Sequence, residues 1–203
     1  MKRFFCLLGL CWSLSASGQS LLPVDKNLVV EEDKLSEQQL RDFQELTHQK
    51  VAEFQKYLSV IADPKQAGPV RELAIENALL LFLPDARMEV GTIKTNMLVR
   101  EYPLSVYLRR LKNLDKKYFD VSITFYDLAL VGDWQKTQAG YETTATYFQH
   151  FQGNGGTIRY EDKTVKKMNV DLRNRKDPFY EENRWTVLLG NVRVAEIQPA
   201  TPK

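Results

Sequence analysis

The chain changes its hydrophobic period once, and that change restricts the fold more than any other feature. Up to Leu83 apolar residues recur every three or four positions, the spacing of a helix packed on one face; from Phe119 onward they alternate, the spacing of a strand with one buried face. In the first part Leu40, Phe43, Thr47, Val51, Phe54, Leu58 and Ile61 trace a single stripe along a helix of about seven turns. Ser36-Glu37-Gln38-Gln39 has the form of a capping box, and Leu35 and Leu40 stand at the two positions of a hydrophobic staple, so the helix is predicted to start there and to end at Asp63-Pro64. Gly68-Pro69 opens a second helix with proline at its first position. Its residues Leu73, Ile75, Ala78, Leu79, Phe82 and Leu83 are apolar on more than one side, which predicts a central, buried helix.

After Pro84-Asp85 the helical period stops. Residues 87–100 read as one or two short strands around Gly91, and Pro103 fits the first turn of a third helix, with Leu104, Tyr107, Leu108 and Leu111 on one face and Arg109, Arg110 and Lys112 turned to water. Four strand segments follow: from Phe119, then Tyr141–Phe151, Thr164–Leu172 and Trp185–Ile197. Gly132-Asp133, Gly153-Asn154-Gly155-Gly156 and the polar loop Arg173–Arg184 separate them as turns. This order predicts an α+β fold in which three helices pack on one face of a curved antiparallel sheet.

The joint Ala78-Leu79-Leu80-Leu81-Phe82-Leu83-Pro84-Asp85-Ala86-Arg87-Met88-Glu89-Val90, running from helix into first strand, together with the helix at Pro103–Leu114 and the strands to Ile197, resembles the nuclear transport factor two-like superfamily, also called the cystatin-like cone. The likeness spans most of residues 36–198 and extends to exported, uncharacterised envelope proteins of Gram-negative bacteria. It implies a conical cavity between the helices and the hollow sheet face, which enzymes of the superfamily furnish with an acid or a base. It also implies dimers through the sheet.

Residues 1–18 have the composition of a secretory signal: basic Met1-Lys2-Arg3, an apolar run from Phe4 to Leu14, and Ala16-Ser17-Gly18 at a cleavage point. The apolar run, about 11 residues against the roughly 20 that span a bilayer, predicts a cleaved leader rather than an anchor. Cleavage near Gly18 predicts an exported chain, in the periplasm or outside the cell. It would take away both cysteines, Cys6 and Cys11, so no disulfide, thiol or cysteine metal ligand would remain. It would also take away Lys2 and Arg3, reducing 28 basic residues to 26 against 26 acidic ones. A neutral chain lacks the sustained positive field that nucleic acid or an anionic membrane surface demands. The expected organisation is a leader at 1–18, an extended arm at 19–34, one domain at 35–198 and a disordered tail at 199–203.

Few residues announce chemistry. Asp85, at the joint, is either a turn residue or a general base; His150, in the strand phase opposite Phe151, reaches the cavity if Tyr141, Thr143, Ala145 and Tyr147 point the other way. His48 falls off the apolar stripe of its helix and reads as a solvated surface residue. The two histidines are too far apart in sequence for an ordinary zinc pair, and no nucleophile elbow or phosphate-cradling loop is present. The expectation is therefore no metal and no cofactor. Tyr147 and Phe148 are consecutive in one strand, so a ring stands on each face. With Trp134, and with Phe179 and Tyr180 at the tip of the polar loop, they are candidates for a binding surface. These features favour an exported, non-catalytic binding or scaffold module that takes a protein partner, a second copy through the sheet face, or an apolar small ligand. The alternative is a small-molecule isomerase, dehydratase or hydrolase with Asp85 or His150 as base.

Overall fold

The computed structural model describes residues 34–92, 98–176 and 183–199, without the side chains of 127–130 and 158. The expected leader, all but the last residue of the expected arm, the loop tip with Phe179 and Tyr180, and residues 200–203 lie outside the described residues. Leu35–Lys203 forms one compact unit.

Helix α1 (Glu37–Ala62) begins where its capping signals place it. Ser36 Oγ accepts from the Gln39 amide, and the Gln39 side chain accepts from the Ser36 amide in return. Thr47, Val51, Phe54, Leu58 and Ile61 are buried along one stripe, and the helix closes at Asp63. Helix α2 (Gly68–Leu80) has proline in its first turn as expected, but it is not the central helix that its composition suggested. It buries Ala74, Ile75, Ala78 and the aliphatic stem of Arg71, while Val70, Leu73 and Leu80 face outward, Leu80 at 77% exposure. An apolar composition all round a helix shows that either side is able to pack; it does not say which side does.

Arg71 is the buried tie of the helical layer. Its guanidinium donates to the carbonyls of Ile61 and Lys112 and to Asp115 Oδ2 at 2.7 Å, joining the end of α1, α2 and helix α3 (Leu104–Lys112) with the 3-10 turn after it. Three donors in a rigid fork suit this position better than a point charge would.

Among the described residues seven strands form one sheet: β1 (Arg87–Thr92), β2 (Leu98–Pro103), β3 (Asp120–Val131), β4 (Gln135–Thr137), β5 (Gly140–Gly155), β6 (Ile158–Lys176) and β7 (Asn183–Pro199). The order is β2-β1-β7-β6-β5-β3, with β4 paired to β5. The long strands β3, β5, β6 and β7 pair as antiparallel sequential neighbours, as alternation predicts. The sheet is mixed, however, because β1 lies parallel to β7. The cause is local: leaving α2, the chain exchanges backbone hydrogen bonds with Leu189, the Leu83 amide donating to its carbonyl and its amide donating to the carbonyl of Leu81. β1 then continues beside β7 in the same direction. Phe119, expected at the head of the buried phase of β3, lies before the strand and is 71% exposed; the buried phase starts at Val121. β7 continues through Pro199, one residue into the expected tail.

Along β5 the inward residues are Tyr141, Thr143, Ala145, Tyr147 and Gln149; along β6 they are Asp162, Thr164, Lys166, Met168, Val170 and Leu172. Tyr147, Met168 and Val170 of this face share one buried core with Val51, Phe54 and Leu58 of α1 and Leu104 and Leu108 of α3. Among the described residues no helix is long and apolar enough to cross a membrane.

Candidate functional site

The inward face of β6 carries two ionisable side chains in an otherwise apolar and hydroxyl-bearing row, and a hollow of about 350 Å³ opens above them. The register explains the depth. Tyr147 of β5 pairs with Lys166 and Phe151 with Asp162, so each charged residue has a bulky ring beside it on the same face. The opposite wall comes from Tyr107, Leu111 and Leu114 of α3 and the turn after it, and one end is closed by Val90, Gly91 and Thr92 of β1. Gly91 lets Ile197 pack directly against the backbone there: a Cβ at this position would stand 1.9 Å from Ile197 Cδ1.

Asp162 is buried in this wall. Burial pushes its carboxyl above the ordinary value; hydrogen bonds from Tyr160 and Thr164 and the charges of Lys166 and His150 oppose the rise without cancelling it. Thr164 Oγ1 lies 3.1 Å from Asp162 Oδ1. Lys166, four residues on with its Cα about 13 Å along the strand, is also buried, and desolvation brings its ammonium down from 10.5 to about 8 in spite of the charges of Asp162 and Glu89. Its Nζ donates to the backbone carbonyl of Glu89 and lies 4.0 Å from Met88 Sδ. Tyr107 completes the group. Burial, with the negative charge of Asp162 added, holds its hydroxyl well above the ordinary phenol range, so it is a hydrogen-bond donor at any physiological pH. The same face holds Tyr147, fully buried, whose hydroxyl has no hydrogen-bond partner among the described residues.

A carboxyl made more basic and an ammonium made more acidic stand in one wall, and both shifts are in the direction that eases proton transfer. Among the described residues no three His, Cys, Asp or Glu side chains stand together as metal ligands.

Asp85 and His150 do not line this cavity. Asp85 is exposed in the turn between α2 and β1. Tyr141, Thr143, Ala145 and Tyr147 take the inward phase of β5, so His150 is turned to the outer face. There its Nε2 lies 2.8 Å from Glu161 Oε1. Glu161 also accepts from Gln152, and its carboxyl is held below the usual range by these two hydrogen bonds. His48 is half-buried rather than solvated, and its Nδ1 is covered without a partner among the described residues. The neighbour of a wide apolar stripe is partly covered as well.

The aromatic candidates separate by face. Tyr147 is in the core. Phe148 is on the outer face, half-buried, with Tyr126 beside it at 5.6 Å between ring centroids. Trp134 packs against the core, with its indole N–H donating to the Leu40 carbonyl.

Asp162, Lys166 and Tyr107 were missed as site residues by sequence reasoning. One signal was present for Lys166: it shares its strand phase with Met168, Val170 and Leu172, and Lys166-Lys167 are consecutive, so one lysine of the pair has to face inward. Asp162 lay before the segment identified as strand.

No family model matches the chain, and no curated protein matches it. Among solved structures it is similar to the crystal structure of a "Putative Scytalone Dehydratase" from Novosphingobium aromaticivorans, with 7% sequence identity and a TM-score of 0.43 over 83% of this chain and 94% of that one.

Proposed function

We propose that the chain is a small-molecule enzyme that works by proton transfer, of the isomerase or dehydratase kind, with Asp162 as general base and Lys166 and Tyr107 as donors to the oxygen on which charge develops. The observation that carries this reading is the buried Asp162 in the wall of a hollow cavity, its carboxyl raised by burial and its orientation set by Thr164 and Tyr160. A purely structural carboxylate would be expected to pair directly with a cation or to reach solvent. The proposal replaces Asp85 and His150 by Asp162 as the base of the reaction.

In the reaction envisaged, a carbon acid next to a carbonyl gives its proton to the Asp162 carboxylate, and the electron pair moves onto the carbonyl oxygen. Lys166 and Tyr107 hydrogen-bond that oxygen as it becomes anionic. Lys166 is suited to this because an ammonium has three N–H groups, and the Glu89 carbonyl takes one. The protonated Asp162 then returns its proton as the electron pair on oxygen falls back: to another carbon of the conjugated system in an isomerisation, or to a β-hydroxyl whose C–O bond breaks and which leaves as water in a dehydration. The leader composition supports the further proposal that this takes place outside the cytoplasm after residues 1–18 are removed.

The test is hydrogen exchange. A panel of aryl ketones and β-hydroxy carbonyl compounds is incubated with the protein in deuterium oxide, and wash-in and loss of water are followed by NMR. Wild type is expected to exchange or dehydrate at least one class, and Asp162→Asn to lose on the order of a hundredfold or more of the rate with its circular dichroism unchanged. Wild-type activity preserved in Asp162→Asn would refute the assignment.

A second reading, a partner or second copy held on the outer sheet face, is favoured by one observation. Tyr126 is 37% exposed next to Phe148, with Lys163 Nζ 6.0 Å from the Tyr126 ring centre. Sedimentation of wild type and Tyr126→Glu tests it: a dimer that dissociates in the variant supports the reading, and a monomer that binds nothing from its own compartment opposes it.

A further inference from the structure

Two cations at the rim of the cavity are held in place without being neutralised. Arg110, on α3, lies over the ring of Tyr102 with its guanidinium carbon 4.6 Å from the ring centre, and Lys117, after the 3-10 turn, lies over Tyr118 with Nζ at 5.3 Å. Both side chains line the cavity and both residues are exposed. Neither makes an ion pair with a carboxylate among the described residues. The contrast with their neighbours is informative: Lys112, on the same helix, pairs with Glu72, and Arg71 with Asp115. An aromatic face fixes the direction of a cation while leaving its charge available.

The charges that face the hollow are therefore unbalanced. Among the described residues that line it, Arg110, Lys117 and Lys166 are positive and Asp162 alone is negative, in a chain whose total is only +2. Leu111 and Leu114, between the two rim cations in sequence, line the same cavity, and so does Phe151 of the sheet. The arrangement is thus a positive rim around an apolar throat.

We infer that the ligand of this cavity is an amphiphilic anion, an apolar or aromatic body bearing one carboxylate, sulfonate or phosphate group, with the anionic group at Arg110 and Lys117 and the body against Leu111, Leu114 and Phe151. This rests on the reading of the cavity as a small-molecule site and adds the class of molecule it takes. The rim cations are binding groups: they pull the anion in by long-range attraction and orient the body so that its far end meets Asp162 and Lys166.

The test uses two fluorescent probes with the same aromatic body, 8-anilinonaphthalene-1-sulfonate and the neutral N-phenyl-1-naphthylamine, titrated into the full chain and into the double variant Arg110→Gln, Lys117→Gln. Both substituted residues are exposed, so the variant is expected to keep its fold, which circular dichroism checks. Wild type is expected to bind the sulfonate on the order of tenfold tighter than the neutral probe at low salt, and the preference is expected to shrink in 0.5 M sodium chloride, a concentration at which exposed charges are screened within a few ångströms. The double variant is expected to bind the neutral probe as before and to lose the preference. Equal wild-type affinity for the two probes, or a preference that survives the double substitution, would overturn the anion assignment while leaving the cavity as a small-molecule site. Failure of wild type to bind either probe would overturn both.

Discussion

Replacing Lys166 by methionine separates the cost of a buried charge from its use. The ammonium sits in the wall with its proton affinity lowered from 10.5 to about 8, chiefly by desolvation. A lysine whose folded value is depressed stabilises the fold least where it is charged in both states: its contribution is complete above 10.5 and is lost as pH falls through 8. At 1.36 kcal/mol per pH unit the burden at pH 7 is about 3 kcal/mol, and at pH 10 it is less than about 1 kcal/mol. Methionine has a comparable unbranched stem and can lie against Met88, which Nζ already approaches at 4.0 Å. It leaves the Glu89 carbonyl without its donor, a loss of about 1 kcal/mol that does not vary with pH. Lys166→Met is thus expected to be more stable than wild type by about 2 kcal/mol at pH 7, and that advantage is expected to fall by roughly 2.5 kcal/mol by pH 10. Urea unfolding of both proteins at pH 7, 8, 9 and 10 measures it, since groups common to the two cancel in the difference. A gap that does not change with pH would refute the argument, because it would mean that the ammonium is solvated or fully compensated. Stabilisation together with loss of activity would mark Lys166 as a residue kept for function.

Three further outcomes follow from the same structure. Asp162 has a raised folded value, so its contribution is present below the ordinary 3.8 and lost as pH rises through the folded value; Asp162→Asn is expected to gain stability relative to wild type between pH 4 and pH 7, read by thermal unfolding at each pH. Tyr147→Phe keeps the packed ring and removes a buried hydroxyl that has no partner among the described residues, and is expected to stabilise by about 1 kcal/mol in urea unfolding; a loss of that size would reveal a partner. Arg71→Met leaves the buried Ile61 carbonyl, the partly buried Lys112 carbonyl and Asp115 without this donor between α1, α2 and α3, and is expected to cost about 3 kcal/mol, seen as a lower urea midpoint with an unchanged slope.

Local signals were legible and non-local ones were not. The start of α1 was readable because a capping box satisfies backbone donors within four residues, and its stripe was readable because one face alone is apolar. The sequential pairing of β3, β5, β6 and β7 followed from alternation and short turns. The parallel β1–β7 pair was not legible, since it depends on where the end of α2 meets Leu189 in space. Nor was the outward side of α2, where Val70, Leu73 and Leu80 are indistinguishable by type from its buried residues. The cavity wall escaped for a different reason. Histidines and turn carboxylates announce chemistry by residue type alone, whereas Lys166 and Asp162 sit mid-strand, where a charged residue normally marks the solvent face. Their inward direction shows only through the phase of Met168, Val170 and Leu172. Asp85 and His150 had suitable chemistry but are set by backbone phase and exposure outside the hollow.

The central claim is that one cavity wall holds a carboxyl of raised and an ammonium of lowered proton affinity. Carbon-13 NMR of protein labelled at aspartate Cγ and lysine Cε reads both groups directly during a pH titration, with Asp162→Asn and Lys166→Met assigning the signals. The account predicts one aspartate titrating above the others and one lysine with its midpoint near 8 rather than 10.5, each signal absent from its own variant. Aspartates that all titrate in the ordinary range, together with lysines that all remain charged to pH 10, would contradict it.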